Sequence, residues 1–93
     1  MASNFKIYTF KTKESLHLKL TGDFDGSSAH ELINIIRDHA KGFYEIFIDT
    51  NDLKTIHPFG KAVFQKKLGS SDGLIRNLVF IGVHGNEIAV KPS

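Results

Sequence analysis

Leu16, Leu18 and Leu20 alternate without exception with His17, Lys19 and Thr21. Successive side chains of a β-strand point to opposite faces, so a strict period of two predicts a strand with one dry face. Upstream, Phe5 and Ile7 share one parity while Tyr8 and Phe10 share the other, which predicts a first strand over Phe5–Phe10. Lys11-Thr12-Lys13-Glu14 is a polar turn between them, so the two strands are expected to pair as a hairpin.

The periodicity then changes. Gly22-Asp23-Phe24-Asp25-Gly26 reads as a loop. Ser28 followed by Glu31 matches a capping box, with Ser28 as the N-cap. Leu32, Ile33, Ile36 and Ala40 follow at helical spacing, and Arg37, His39 and Lys41 suit the negative end of the helix dipole. Gly42 is the expected stop. Phe43–Asp49 contains the continuous apolar run Ile46-Phe47-Ile48, which suits a strand covered on both faces. Asn51-Asp52 is expected to turn the chain.

Pro58 opens a second helix, since a residue without an N–H is tolerated at the first helical position. That helix is expected to run to Leu68 and stop at Gly69. Ser70–Gly73 is a turn, and Leu78–Val83 a further buried strand. Beyond His84, Ile88 and Val90 form either a short edge strand or a frayed tail. The order β-β-α-β-α-β predicts a small α/β domain with a mixed sheet and helices packed across it.

Length and composition bound what such a domain does. The chain has 93 residues, enough for one small domain over 1–93, with 1–4 and 85–93 as flexible or edge segments. Hydrophobic residues make up 41% and charged residues 24%, so a folded state is expected rather than disorder. There is no cysteine, which excludes disulfides, thiolate metal sites and a cysteine nucleophile. No apolar run approaches the roughly 18 residues of a membrane-spanning helix. The N-terminus has no signal-like apolar region, so a cytoplasmic location is expected and no membrane partner. The formal charge is +2. Its basic residues are scattered rather than gathered on one face, which argues against a nucleic-acid partner.

Several motif matches fail on context. Gly69–Gly73 fits G-x-S-x-G, but it follows a helix and precedes a strand, the reverse of a nucleophile elbow. Thr55–Ala62 falls short of a phosphate loop, because Thr55 replaces the first glycine and Ala62 the magnesium-binding hydroxyl. A calcium loop counted from Asp23 needs glycine and glutamate where the chain has Ser28 and Asn34. The five histidines (His17, His30, His39, His57, His84) show no metal-ligand spacing. No nucleophile and base pair is evident, so no enzyme, cofactor or metal is expected.

Two features stay open. His57, just before a helix N-terminus, is either an imperfect cap or, with Gly60 and Lys61, part of an anion or nucleotide site. On the second helix, Phe59, Ala62 and Val63 share one side while Phe64 and Leu68 lie well round from them. One reading leaves an aromatic and a leucine near the surface, rimmed by Lys61, Lys66 and Lys67, as a contact patch. The other buries a wide arc, with the C-terminal tail covering the rest.

Three segments resemble the STAS family, the sulfate-transporter and anti-sigma-factor-antagonist domains. Leu16–Asp25, LHLKLTGDFD, is similar to that family's second strand and Gly-x-x-Asp loop. Glu45–Thr50, EIFIDT, resembles its buried strand ending in aspartate. Ile56–Gly60, IHPFG, falls where the family carries Asp-Ser-Ser-Gly or Asp-Thr-Ser-Gly at the start of its second helix. Gly22, Asp25, Asp49 and Gly60 match the pattern. The resemblance implies a non-catalytic module of bacterial-type signalling that binds an anti-sigma factor or a related protein, with a weak homodimer left open. In the family the first hydroxyl of that motif accepts a phosphoryl group. Here Pro58 stands in its place, flanked by His57 and Phe59, so the switch is expected to be absent at this position. Thr50 and Thr55 are the nearest hydroxyls. The expected partner contacts are Asp23, Asp25, His57, Pro58, Phe59 and Lys61.

Overall fold

The computed structural model describes residues 4–39, 44–69 and 78–88. Its elements run β1 (Lys6–Lys11), β2 (Ser15–Phe24), α1 (Gly26–His39), β3 (Glu45–Ile56), α2 (Pro58–Gly69) and β4 (Leu78–Ile81), closed by a short α3 (Gly85–Ile88). The predicted β-β-α-β-α-β order is observed, with α3 added.

The four strands form one sheet in the order β1-β2-β3-β4. β1 pairs antiparallel with β2, while β2–β3 and β3–β4 are parallel. Both crossovers join neighbouring strands and advance in the same direction. With the usual right-handed crossover, α1 and α2 therefore lie on one face of the sheet. The core sits there. Leu16, Leu18, Leu20 and Phe24 of β2 and Ile46 and Ile48 of β3 are fully buried beneath Leu32, Ile36, Phe64 and Leu68 of the helices. Phe64 anchors this layer, meeting Phe24 edge-on at 5.8 Å and Phe80 at 6.0 Å between centroids.

Several expectations are corrected. Gly22–Phe24 is not loop but the end of β2, paired with β3 through Gly22–Leu53 and Phe24–Ile56. The burial of Phe24 against Phe5 and Phe64 extends the strand. Asn51-Asp52 does not turn the chain. β3 continues to Ile56 because two register shifts against β2, between Lys19 and Thr21 and between Gly22 and Asp23, absorb two extra residues. Ser28 is not the N-cap of α1. Asp25 is, its Oδ1 accepting the Ser28 N–H at 2.9 Å, and Glu31 lies exposed. β4 ends at Ile81 because Gly82 takes φ +99° and turns the chain.

Ile88 lies neither in an edge strand nor in a frayed end. That side chain is fully buried within the core at the end of α3. Ile46-Phe47-Ile48 is also covered on one face only, since Phe47 is half-exposed. The expected helix stop at Gly42, the strand start at Phe43, the Ser70–Gly73 turn and Val90 lie outside the described residues.

Candidate functional site at the joined helix starts

The starts of α1 and α2 meet at the C-terminal ends of the parallel strands β2 and β3, the end of such sheets where ligands and partners commonly dock. Pro58 occupies the first position of α2 as predicted, and the Lys61 N–H closes the first helical bond on the His57 carbonyl at 3.0 Å. The His57 N–H in turn donates to the Phe24 carbonyl at 2.9 Å, tying the helix start to β2.

Contact between the helix starts is close enough to demand glycine on both sides. A Cβ on Gly60 would lie 2.6–2.8 Å from the main chain of Asp25, and one on Gly26 2.7 Å from the Phe59 ring. Phe59 thus lies across the first turn of α1 while remaining 71% exposed. Packing of this kind has no simple periodic signature. Gly60 carried a family signal, whereas Gly26 carried none.

The two acidic residues have different tasks. Asp25 holds α1 by accepting the Ser28 N–H at 2.9 Å, the Ser27 hydroxyl at 2.9 Å and the Ser28 hydroxyl at 3.0 Å. The Ser28 backbone bond, seconded by these hydroxyls, holds its carboxyl below the ordinary aspartate value. Asp23 accepts the Thr55 hydroxyl at 2.6 Å, and its N–H donates to the Asn4 side chain at 3.2 Å. Its carboxylate keeps a half-exposed position on the rim. His57, Pro58, Phe59 and Lys61 are all exposed. All six expected contact residues therefore come from one end of the molecule, although Asp25 is largely engaged in capping.

The hydroxyls of both nearby threonines are hydrogen-bonded. Thr50 is fully buried; its Oγ1 donates to the Ile81 carbonyl at 2.8 Å and accepts the His84 N–H at 3.1 Å. Thr55 is exposed, but its hydroxyl is committed to Asp23. Among the described residues, no three of His, Asp and Glu gather as a metal site, and no helix is long and apolar enough to cross a membrane.

Comparison with known proteins separates sequence from shape. No protein-family model and no curated protein matches the sequence. Solved structures do match the fold. The anti-sigma factor antagonist SpoIIAA in its unphosphorylated form superposes with a TM-score of 0.58 at 16% identity, over 83% of this chain and 71% of that one. The phosphorylated Bacillus form gives 0.51 at 12%, over 90% and 96%. The chain has the SpoIIAA-like fold. An uncharacterised Shewanella loihica protein with the same fold gives 0.59 at 20% identity, over 88% and 71%. Mglu gives 0.62 at 14%, over 78% of this chain but 18% of that one. The SpoIIAA-like architecture agrees with the STAS resemblance drawn from Leu16–Asp25, Glu45–Thr50 and Ile56–Gly60.

Proposed function

We propose that the chain is a non-catalytic interaction module of bacterial-type signalling that grips a protein partner at the joined starts of α1 and α2 and is not switched by phosphorylation there. The observation that carries this reading is Phe59. A large apolar ring held 71% exposed over Gly26, at the C-terminal edge of the sheet, is a costly feature for a surface that touches nothing. Exposed aromatics of this kind are the usual anchors of protein contacts. The likeness to SpoIIAA, an anti-sigma factor antagonist, supports a partner of the anti-sigma factor type.

Pro58 supports the unswitched character. A phosphoryl group at this position would meet the amides and dipole of α2, but proline offers no oxygen to carry it. An anion held by His57, Gly60 and Lys61 is the weaker reading. Pro58 removes one amide from that helix start, and the carboxylates of Asp23 and Asp25 stand on the same rim.

The test is binding to a purified anti-sigma-factor-type kinase, measured by calorimetry with wild type and with Phe59→Asp plus Lys61→Glu. The expected result is at least a tenfold loss of affinity in the variant, the scale of one buried anchor at an interface. Equal affinities would remove this surface from the contact. Incubation with the kinase and ATP is expected to leave the intact mass unchanged.

A further inference from the structure

The second face of the sheet carries an independent feature. No described helix covers it, since α1 and α2 both pack on the other side. The ladder registers bring its side chains into two rows. One runs Phe10–His17–Phe47–Val79 and the next Tyr8–Lys19–Asp49–Ile81. The rows are strongly apolar for an open face. Phe10 is 58% and Tyr8 47% exposed, Ile81 is exposed, and His17 stacks on Phe47 with centroids 4.7 Å apart.

The charges on this face are divided. Around the two rows, Lys6 on β1 and Lys19 on β2 stand on one half and Glu45, Asp49 and Asp52 on β3 stand on the other, while Asp23, beyond them at the end of β2, shares this face with its carboxylate bonded to Thr55. Within the chain, Lys19 reaches Asp52 at 3.0 Å across the midline. A face basic on one side and acidic on the other complements itself under one particular symmetry. A two-fold axis parallel to the strands, between β2 and β3, lays β1 over β4 and β2 over β3 of a second copy. Each row then meets its own reverse. Lys19 faces Asp49 of the second copy, Tyr8 faces Ile81, Phe10 faces Val79 and His17 faces Phe47. An axis perpendicular to the strands sets β1 on β1 and β3 on β3, so that Lys19 meets Lys19 or His17, and Asp49 meets Asp49 or Phe47. The charge pattern selects the first arrangement.

We infer that a second copy of this chain docks on the open face of the sheet, forming an isologous two-layer sandwich with strands aligned. The footprint sets its strength. Four strands at about 4.8 Å spacing, used over roughly six residues, give about 400 Å² per copy. That is about half of what a stable interface buries on each side. The dimer is therefore weak and transient, calling for concentrations well above those used for stable complexes, and it depends on salt because its polar contacts are partly exposed. It does not use the Phe59 end and stands apart from the function proposed above.

The test is sedimentation equilibrium of the 93-residue chain up to 1 mM at low salt, with an NMR dilution series. Wild type is expected to associate, with concentration-dependent shifts confined to the two rows and absent from the helices. Lys19→Glu alone and Asp49→Lys alone are each expected to weaken association about tenfold, because each places like charges opposite one another twice per dimer. An equimolar mixture of the two variants is expected to regain it, since in that pairing every junction is again opposite in sign. Circular dichroism checks that both variants stay folded, and the wild-type dilution series needs no variant. A wild type that stays monomeric at 1 mM overturns the inference and leaves the face bare or to an unlike partner. Association that ignores both swaps, or a mixture that fails to recover, overturns it as well.

Discussion

Asp25 shows how one carboxylate can be both a family marker and an ordinary structural device. Its side chain caps α1, and the Ser28 N–H bond with the two serine hydroxyls holds its folded pKa below the unfolded value of about 3.9. A depressed carboxylate favours the folded state above the unfolded pKa and loses that contribution as pH falls through the folded one. Asn at this position still caps but does not titrate. Asp25→Asn is therefore expected to lower stability at pH 7 by up to about 1 kcal/mol. The gap should narrow as pH falls from 7 toward the folded pKa and vanish only below it, as read from urea denaturation over an acid pH series. A gap that does not change with pH would mean that shape, not charge, makes Asp25 the cap. From sequence, the cap was placed three residues late. Ser28 fits a capping box as well as Asp25 fits a loop, and local pattern cannot choose between them. The choice is made by Phe24, whose burial draws β2 one residue short of Asp25.

At the scale of elements, α2 illustrates why periodicity alone left its faces unassigned. Gly60, Phe64 and Leu68 line one stripe toward the core, while Phe59 sits one step away in solvent. Both aromatics satisfy a hydrophobic pattern, and the close approach of Gly60 to Asp25 together with the burial of Phe64 sets which of them turns inward. Of the two readings left open, Phe64, Leu68 and Ile88 follow the wide buried arc, and the exposed aromatic is Phe59 rather than Phe64. Phe64→Ala is therefore expected to cost about 3–5 kcal/mol, the usual penalty for emptying a buried aromatic site. Phe59→Ala should cost less than about 1 kcal/mol. Chemical denaturation of the two variants measures the contrast, and equal losses would reverse the assigned faces. β3 was legible in its first half, where Ile46, Ile48 and Thr50 alternate inward. Past Thr50 the inward positions are the buried Leu53 and the half-buried Ile56, three residues apart. The two register shifts produce that spacing, and it imitates a turn in the sequence.

The described part of the molecule is a sheet whose hydrogen-bonded neighbours are also neighbours in sequence, with α1 and α2 layered over one of its faces. Stability in such an arrangement is uneven. β2 and β3 are bonded on both sides and bury Leu16, Leu18, Leu20, Ile46 and Ile48 completely. β1 is an edge strand, partnered on one side only and exposed at every position except Ile7. Its Lys6 and Lys11 guard that edge against pairing with another sheet. Local opening should therefore peel β1 away without disturbing the β2–β3 pair, because few buried apolar groups resist it. Native-state hydrogen exchange is expected to show amides near Leu18 and Ile48 opening only with global unfolding. The β1 amides bonded to β2 should exchange through a smaller opening, at least tenfold faster. Uniform protection across the sheet would mean that β1 unfolds with the core. The packing of Phe5 on Phe24, at 5.9 Å, would then be a strong enough tether to make the hairpin part of a single cooperative unit.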